Sequence, residues 1–350
     1  MLIAGAGMAG LCAAARAREL GIRPTVLEKG DRPGGSMLLS SGVIWRYRSL
    51  DEFRLNCPGG DLRLQSEIVE RLDDALAWLE SLGAPVVVKE TSNARTVGWR
   101  FEPAALTETL VRAAGDVQLG RGLVPGTRTR PLVLATGGFP VRFARERGLM
   151  LRSNRWSEGD GLDFARTQGA ATTPGLDEFY GRAMPAPPAE WGEENFVELA
   201  QLYGRLAHVV DEEGRDIRVD PNDWSETRLV QEIARHPGGR AWYVVEAKNL
   251  GRSTPYGAIR EVIERARTAG AQVEERDGGA LAIRVAAAVT HTFGGLAIDR
   301  HARVLADSAE PIDGLYAAGA DAGGIATGGY ASGLAAALVF GLIAAEGAAS

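Results

Sequence analysis

The chain has 350 residues, a hydrophobic content of 45% and a formal net charge of -6, with an isoelectric point near 5.5. This length can bury a large core and favours two domains, whereas the acidic balance argues against a nucleic-acid partner. Two cysteines, Cys12 and Cys57, are too few for a disulfide framework, a four-thiolate iron–sulfur site or a CxxCH haem attachment, so we expect an organic cofactor, no metal site and a reducing, cytoplasmic compartment.

The first predicted element is a strand that runs directly into a glycine-rich turn. Residues 2–4 are apolar, Gly5, Gly7 and Gly10 form GxGxxG, and "LCAAARAREL" reads as a helix that ends at Gly21. In such a turn the first glycine permits the bend, the second lets the backbone approach a pyrophosphate, and the third lets the helix pack on the strand. The helix N-terminus then faces the phosphates with its partial positive charge.

A second predicted strand, "PTVLE", ends in an acidic residue. Glu28 lies 18 positions after Gly10, where a carboxylate can accept hydrogen bonds from ribose hydroxyls. The order of elements therefore predicts a βαβ unit that binds a dinucleotide. The motif does not distinguish NAD from FAD, and a glycine-rich turn of another α/β protein is the alternative explanation.

Several later segments carry more specific signals. They are "EKGDRPGGSMLLSSG" at 28–42, "LVLATGGF" at 132–139, "THTFGGLAIDRHARVL" at 290–305 and "PIDGLYAAGADAGG" at 311–324. "LAAALVFGLIAA" at 334–345 is shorter than the about 20 residues that a membrane helix needs, and it predicts a buried helix. The N-terminus has no signal-peptide pattern, so we expect the mature protein to begin there.

The region between these segments mixes helical and strand patterns. "GDGLDFARTQGA" predicts a helix that ends at Gly169, and "AHVVDEEGRDIRV" predicts a hairpin around Gly214. "SETRLVQEIAR" predicts a helix with Ser225 as its N-cap. "YGAIREVIERARTAGA" predicts an amphipathic helix with an apolar stripe formed by Ile259, Val262, Ile263 and Ala266.

Together these segments resemble the flavoprotein family of fumarate reductase and succinate dehydrogenase, with its acid followed by a GG pair, its ATGG turn, and its HTxGG and GLYAAG signatures. The resemblance implies an α/β fold: a discontinuous Rossmann-like FAD-binding domain of the GR2 type with an inserted α+β cap domain. The implied parts are residues 1–147 for the first FAD-binding part, 148–286 for the cap (substrate) domain and 287–350 for the second FAD-binding part. The family's small β-meander has almost no room before residue 132, so only a short connection is expected there.

The resemblance implies FAD as the cofactor. Ser36 aligns with the histidine that binds flavin covalently in the succinate dehydrogenase branch, so the FAD is expected to be non-covalent. The implied cofactor-binding residues are Gly5, Gly7, Ala9, Gly10, Glu28, Lys29, Gly35, Ser36, Ser40, Ser41, Gly42, Thr136, Gly137, Gly138, Gly319, Asp321, Ser332, Gly333 and Leu334.

The resemblance also implies catalytic candidates. His291 and Thr292 match the position that contacts a substrate oxygen, although His291 could instead bond only the flavin or the backbone. Tyr330 replaces a carboxylate-binding arginine, as in the ketosteroid Δ1-dehydrogenase and tricarballylate dehydrogenase branches, and could instead only pack. The cap arginine aligns near Arg228, in a register that could place Glu226 there instead.

"WRYRS" follows the small residues that line the flavin, so Trp45, Arg46 and Tyr47 are candidate walls of the substrate pocket; aromatic packing is the alternative for Trp45. The predicted function is desaturation or reduction of a C–C bond next to a carbonyl or carboxylate, by hydride transfer at flavin N5. The alternatives are an FAD-dependent oxidase or hydroxylase of another class, and a non-catalytic FAD-binding protein. The expected partners are a small-molecule substrate and a separate electron donor or acceptor, with no membrane span.

Overall fold

Helices and strands alternate along most of the chain. The computed structural model describes residues 1–218, 220 and 222–349. In these residues the strands are β1 (Leu2–Ala4), β2 (Thr25–Glu28), β3 (Val43–Tyr47), β4 (Val86–Val88), β5 (Thr96–Phe101), β6 (Val117–Leu119), β7 (Leu132–Leu134), β8 (Met150–Leu151), β9 (Phe179–Pro185), β10 (His208–Val210), β11 (Arg240–Val245), β12 (Ser253–Thr254), β13 (Gly257–Ala258), β14 (Val273–Arg276), β15 (Ala280–Thr292), β16 (Arg303–Leu305) and β17 (Pro311–Ala317). The α-helices are α1 (Met8–Glu19), α2 (Leu50–Asn56), α3 (Leu62–Ser81), α4 (Pro103–Ala114), α5 (Pro140–Arg147), α6 (Asp160–Arg166), α7 (Thr227–Ile233), α8 (Ile259–Thr268) and α9 (Gly333–Ala349).

The chain divides into two compact units. Unit 1 comprises Met1–Phe139, Asn154–Glu178 and His291–Ser350, and unit 2 comprises Pro140–Ser153 and Phe179–Thr290. The predicted cap domain includes 154–178, which the compact units place in unit 1. Contacts within unit 1 explain this placement: Ala170 forms a β-bridge with Ala306, and the Thr173 amide donates to the Gly295 carbonyl at 2.9 Å. The domain boundaries from the sequence stay a prediction.

Unit 1 is built on a six-stranded sheet with the order β16-β17-β7-β1-β2-β6. Strand β1 pairs in parallel with β2 and β7, and β17 pairs in parallel with β7. All three side chains of β7 are buried, as expected for a central parallel strand covered on both faces. The predicted α/β Rossmann-like fold is confirmed. Residues 120–131 between β6 and β7 contain no strand, in line with the short connection expected there.

Helices α1 and α9 pack together in unit 1 through small residues. A Cβ atom at Gly341 would lie 2.6 Å from the Ala9 carbonyl oxygen, so the two backbones approach too closely for a side chain at this position. The interior of α1 is mostly alanine and is buried, and α9 is buried along most of its length. The predicted buried C-terminal helix is confirmed, and it spans Gly333–Ala349.

Unit 1 also contains a three-stranded antiparallel sheet, β3-β5-β4. Strand β3 pairs with β5 in the register Trp45↔Gly98. A Cβ atom at Gly98 would lie 2.1 Å from the Ile44 carbonyl oxygen and 2.6 Å from the Trp45 Cα, so the glycine allows the two backbones to approach closely. Ile44, Trp45 and Tyr47 of β3 are buried, while Arg46 is half-buried; Trp45 and Tyr47 share one face of the strand, and Ile44 and Arg46 share the other.

Unit 2 is built on an antiparallel sheet with the order β10-β11-β15-β14, and β8 and β9 also pair with β15. The helix predicted around 256–271 is α8, and all four residues of its predicted stripe are buried. The predicted hairpin has β10 as its first arm, with Val210 bridged to Asp216 across the turn.

The N-cap prediction at Ser225 is wrong. Helix α7 begins at Thr227, after Glu226, whose backbone is left-handed with φ of 58°. The Asp223 carboxylate instead accepts hydrogen bonds from the amides of Arg228 and Leu229. The Ser225 hydroxyl accepts a hydrogen bond from the Thr227 amide, at 3.2 Å.

No helix among the described residues combines the length and apolar character that crossing a bilayer requires. Within the same residues, no group of three or more His, Cys, Asp or Glu side chains is arranged to hold a metal ion. Cys12 and Cys57 are buried, and neither forms a disulfide.

Candidate functional site

The glycine-rich turn after β1 leaves the start of α1 without a side-chain cap. Gly5 has φ of 104°, and a Cβ there would lie 2.1 Å from the Ala135 carbonyl oxygen, so only glycine fits. At Gly10 a Cβ would lie 1.9 Å from the Gly5 oxygen. A Cβ at Gly7 meets nothing closer than the Gly34 oxygen at 4.0 Å, and no side chain caps the helix that Gly7 precedes. A ligand can therefore approach the backbone at Gly7.

Glu28 organises the loops around this turn. Its carboxylate is buried and accepts hydrogen bonds from the amides of Ala6 at 2.8 Å and Gly30 at 2.7 Å. A carboxylate has about four acceptor positions, so two backbone amides leave capacity for hydroxyl donors. Glu28 thus both shapes the turn and retains a means of binding a ribose.

The segment after Glu28 returns to the glycine turn. The Gly34 amide donates to the Ala6 carbonyl at 2.7 Å, and Gly34 and Gly35 both have positive φ. The Ser36 hydroxyl accepts from the Asn154 amide at 3.4 Å. Further along, the Ser40 hydroxyl bonds the backbone at Met37 and Gly42, while Ser41 is exposed.

Asp321 holds the ATGG turn that follows β7. Its buried carboxylate accepts hydrogen bonds from the amide and hydroxyl of Thr136 and from the Gly138 amide at 3.1 Å. Burial raises the pKa of Asp321 to about 6, against the lowering effect of these hydrogen bonds. Gly319, with φ of 66°, lies beside Ala9 of α1. Asp321 therefore connects the turn after β7 to the one after β17.

The polar stretch 154–161 belongs to this site, although the sequence analysis assigned it to the cap. Ser157 Oγ lies 2.5 Å from where a Cβ of Gly137 would be, and the Trp156 ring lies against Gly30. Glu158 forms an ion pair with Lys29 at 2.5 Å. The only sequence signal was a polar run before the helical pattern of α6, and that run carries no motif.

Lys29 is held by two carboxylates. Its ammonium group also lies 3.1 Å from Asp160. These two hydrogen-bonded carboxylates raise the pKa of Lys29, in opposition to partial burial, which is the largest single influence and lowers it. The charge of Lys29 is therefore paired with two carboxylates that also belong to unit 1.

His291 and Thr292 lie at the end of β15 and near the start of α9. A Cβ at Gly333 would lie 3.1 Å from His291 Cε1, which places the imidazole against the first residue of the helix. The surrounding protein lowers the His291 pKa to about 4 through desolvation, so the ring is neutral at physiological pH. The Thr292 hydroxyl is buried without a hydrogen-bond partner in the described residues.

Helix α9 starts with small residues and a capping serine. The Ser332 hydroxyl accepts from the Ala335 amide at 3.3 Å, while Gly333 and Leu334 are half-buried. Helix N-termini carry a partial positive charge. The start of α9 and the neutral His291 thus present a polar surface for an anionic or electron-rich group.

Trp45, Tyr47 and Tyr330 form one aromatic cluster. The rings of Trp45 and Tyr330 are 5.3 Å apart, as are those of Trp45 and Tyr47. The Tyr47 hydroxyl donates to the Tyr330 carbonyl at 2.7 Å, which fixes the segment before α9. The structure does not bring Arg46 into this cluster, because its guanidinium pairs with Asp73 at 2.6 Å.

The predicted cap arginine lies in unit 2 at the start of α7. Arg228 is 51% exposed and pairs with Asp220 at 3.2 Å. Glu226, which the sequence alignment gave as the alternative to Arg228, is buried. The residue in this segment that is enclosed by protein is therefore the carboxylate, not the arginine.

The residues of unit 1 fit a dinucleotide of the FAD type. Three separate polar features are the start of α1 without a side-chain cap, the spare acceptor positions of Glu28, and the Thr292 hydroxyl, which has no partner among the described residues. Buried polar groups normally have partners, so the Thr292 hydroxyl points to a ligand or water at this place.

Two family matches agree with this geometry. The FAD binding domain family matches residues 122–334, and the NAD(P)-binding Rossmann-like domain family matches residues 3–51. A probable fumarate reductase from Shewanella frigidimarina is 24% identical over the whole chain, which spans 74% of that protein. NADH:fumarate oxidoreductase from Klebsiella pneumoniae is 23% identical, and the chain spans 47% of it.

Solved structures share the fold. An open conformation of a flavocytochrome c3 fumarate reductase has a TM-score of 0.75 at 20% identity, covering 99% of this chain and 77% of that one. The 3-ketosteroid-Δ4-(5α)-dehydrogenase of Rhodococcus jostii has a TM-score of 0.73 at 18% identity, covering 100% of this chain and 96% of that one. At these identities the likeness concerns the fold.

Proposed function

Because this chain belongs to the FAD binding domain family, it is an FAD-dependent oxidoreductase, and we propose that it desaturates or reduces a carbon–carbon bond next to a carbonyl or carboxylate group. Bound FAD supplies hydride transfer. The protein has to bind the cofactor, orient the substrate and stabilise charge on its activating oxygen. The observation that carries the proposal is the neutral His291 ring at the start of α9, near the dinucleotide residues of unit 1.

We assign the substrate oxygen to Tyr330 and His291. A phenol can donate a hydrogen bond to a carbonyl oxygen whose negative charge grows in the transition state. The packing of Tyr330 on Trp45 and the Tyr47 hydrogen bond to the Tyr330 carbonyl restrict the movement of this residue. Tyrosine also replaces the arginine that would bind a second carboxylate, so a ketone or monocarboxylate fits this site better than fumarate.

The cofactor contacts follow from the same unit. Gly7 and the first turn of α1 would hold the pyrophosphate, and Glu28 the ribose. The amides at the start of α9 would stabilise negative charge on the reduced ring system. Ser36 cannot form the histidine linkage of the succinate dehydrogenase branch, so we propose non-covalent FAD.

The proposal includes a separate electron donor or acceptor. Two cysteines cannot supply an iron–sulfur cluster or a CxxCH haem attachment in this chain. Because neither cysteine forms a disulfide in the described residues, we also propose a reducing, cytoplasmic compartment.

Anaerobic flavin absorbance tests the proposal. The oxidised protein is titrated with saturated ketones, steroid-like ketones and carboxylates, and the reduced protein with the matching unsaturated compounds. Bleaching by a saturated compound, or re-oxidation by an unsaturated one, supports the reaction and identifies the substrate class. Stoichiometric FAD with no reaction contradicts it and favours a non-catalytic FAD-binding protein. Rapid reduction by an amine or alcohol, with peroxide formed in air, would favour an oxidase.

A further inference from the structure

The 154–161 segment joins two of the loops that surround the glycine turn. The Asn154 amide donates to the Ser36 hydroxyl at 3.4 Å, in the loop after β2. The Gly161 amide donates to the Thr136 hydroxyl at 3.1 Å, in the turn after β7. All of these residues belong to unit 1. The segment therefore connects the loops at the carboxyl ends of the two strands that flank β1.

The middle of this segment places Trp156 beside Glu28. A Cβ atom at Gly30 would lie 2.9 Å from Trp156 Nε1 and 3.0 Å from Glu28 Oε1, so the indole N–H and the carboxylate border the same small space. The indole nitrogen can only donate a hydrogen bond, and an ionised carboxylate can only accept one. A ligand group that both donates and accepts would therefore satisfy the two side chains together.

The Trp156 ring is held in place without the use of its N–H group. The Arg155 guanidinium lies 5.2 Å from the ring centroid and pairs with Asp31, in the loop after β2, at 3.1 Å. The Trp156 amide donates to the Asn154 side chain at 3.2 Å. The indole N–H itself donates to no acceptor among the described residues. A fixed donor of this kind is available to a ligand without any rearrangement of the protein.

Ion pairs hold the second half of the segment. The Lys29 ammonium group lies 2.5 Å from Glu158 and 3.1 Å from Asp160. Partly exposed pairs add little stability each, but these two tie the segment to the residue that follows Glu28. The position of Trp156 relative to Glu28 is therefore set from both ends of the segment.

We propose that Trp156 binds the adenosine half of FAD, with its indole N–H donating to a ribose hydroxyl that in turn donates to Glu28. A hydroxyl can do both, whereas a phosphate oxygen can only accept and would be repelled by the carboxylate. The acid at the end of the second strand is the residue that meets the ribose in this type of fold. The contact goes beyond the proposed reaction, does not depend on it, and rests on the proposed ribose contact of Glu28.

The test measures the binding of FAD, ADP and FMN to the full chain after its flavin has been removed. ADP carries the adenosine half of FAD, and FMN carries the flavin half. Trp156→Phe removes the N–H and keeps an aromatic ring, so we expect the dissociation constants of FAD and ADP to rise about 3-fold to 10-fold and that of FMN to stay the same. An unchanged ADP dissociation constant contradicts the inference, as does an equal loss of FMN binding.

Trp78→Phe is the matched control. The Trp78 indole N–H donates to Glu19 at 2.8 Å, at the far end of α1, so its loss should change the binding of none of the three probes. The circular dichroism spectrum and Tm report the folding of both variants.

Indole fluorescence gives a readout that is independent of affinity. ADP does not absorb where indole emits, so a change in emission on saturation with ADP reports the surroundings of a tryptophan. The change in the wild type should be absent from Trp156→Phe and retained in Trp78→Phe. The same change in Trp156→Phe as in the wild type would show that the ring does not meet the nucleotide.

Glu28→Gln separates this contact from the proposed ribose contact. If Glu28→Gln weakens ADP binding and Trp156→Phe does not, only the role of Trp156 is wrong. If neither variant weakens ADP binding, the proposed ribose contact fails as well.

Gly30→Ala decides if Trp156→Phe does not fold. A Cβ atom at Gly30 would lie 2.8 Å from Trp156 Cδ1, so a methyl group there must displace the ring. Gly122→Ala is the control, because a Cβ atom there meets only the Lys29 side chain, at 3.6 Å. We expect weaker ADP binding in Gly30→Ala alone, and equal ADP binding in the two variants contradicts the inference.

Discussion

His291 and Asp321 both lie in interiors that favour their neutral forms. Desolvation lowers the His291 pKa to about 4 and raises the Asp321 pKa to about 6. Desolvation disfavours the charged form of each group. It lowers the pKa of the histidine, which is charged when protonated, and raises that of the aspartate, which is charged when deprotonated. Near pH 7 His291 is therefore neutral, whereas Asp321, with a pKa of about 6, is still mostly ionised.

For Tyr330 we predict a catalytic effect without a loss of cofactor. Tyr330→Phe removes the hydroxyl that would stabilise the substrate oxygen, so kcat/KM should fall by about 100-fold to 1000-fold. Tyr316→Phe is the control, because its hydroxyl donates to the Gly347 carbonyl at 2.9 Å, within unit 1. Steady-state kinetics and bound FAD measure the two effects. Equal activity of Tyr330→Phe and the wild type would leave Tyr330 with a packing role.

For His291 we predict a neutral ring at physiological pH. Its ¹⁵N imidazole signals, assigned by comparison with His291→Gln, should show no protonation until the pH falls toward 4. Protonation midway between pH 6 and 7 would show that the ring is better solvated than its packing indicates.

Residues that fix the backbone of a motif were easier to predict from the sequence than residues that reach the site by tertiary packing. Gly5, Gly10 and Glu28 follow from a local motif, and the structure places all three around one turn. Asn154 and Ser157 belong to the same surroundings through tertiary contacts with Ser36 and Gly137, which no local pattern encodes. Side chains alternate along a strand, so Arg46 lies on the opposite face of β3 from Trp45 and Tyr47, and its place in a substrate pocket stays a prediction.

At the scale of elements, amphipathic periodicity was more informative than cap chemistry. The buried stripe of α8 was predicted residue by residue. The start of α7 was not, because Asp223 reaches its amides from three residues before Glu226 and replaces the expected Ser225 cap. A cap of this kind depends on the path of the preceding loop, which propensities do not specify.

The α1–α9 contact gives a prediction at this scale. Gly341→Ala places a methyl group where the Ala9 carbonyl oxygen lies, so the helices must separate, at a cost of about 1 to 3 kcal/mol. Tm and FAD affinity should both decrease. Gly251→Ala is the control, since a Cβ there meets nothing within 4 Å. A Gly341→Ala variant as stable as the wild type would contradict the close packing.

At the scale of the molecule, stability should depend on pH through the buried carboxyl groups. The folded Asp321 has a pKa of about 6 against 3.8, so its stabilising contribution is complete below pH 3.8 and is lost as the pH rises through about 6. Glu226 acts in the same direction between 4.5 and about 7. His291 acts oppositely, because its contribution is present above 6.5 and is lost as the pH falls through about 4.

Urea unfolding over this pH range measures the effect. Relative to Asp321→Asn, the wild-type free energy of unfolding should fall by about 3 kcal/mol as Asp321 passes from its unfolded to its folded pKa. His291→Gln serves as the matched test of the opposite sign. Parallel pH curves for the wild type and Asp321→Asn would show that the carboxyl group has the same proton affinity in both states.

The fold of the molecule was predictable because its motifs are spread over both ends of the chain. The glycine turn, the ATGG turn and the C-terminal signatures each accompany one strand of the same sheet, namely β1, β7 and β17. Unit 2 carries no such motif, and its sheet depends on pairings such as Arg240↔Ala286 that only the tertiary fold reveals. Residues 154–178 likewise belong to unit 1 through tertiary contacts that no local motif predicts.

The strand order of the main sheet has a consequence for synthesis on the ribosome. Strand β1 leaves the exit tunnel long before its neighbour β7, which follows only after residue 131, and before β17 and α9, which follow after residue 310. The glycine turn must therefore wait, without its complete support, until β17 and α9 have been translated. Such late closure favours slow folding and transient exposure of β1 and α1, so chaperone demand and the timing of FAD uptake should depend on the synthesis of β17 and α9.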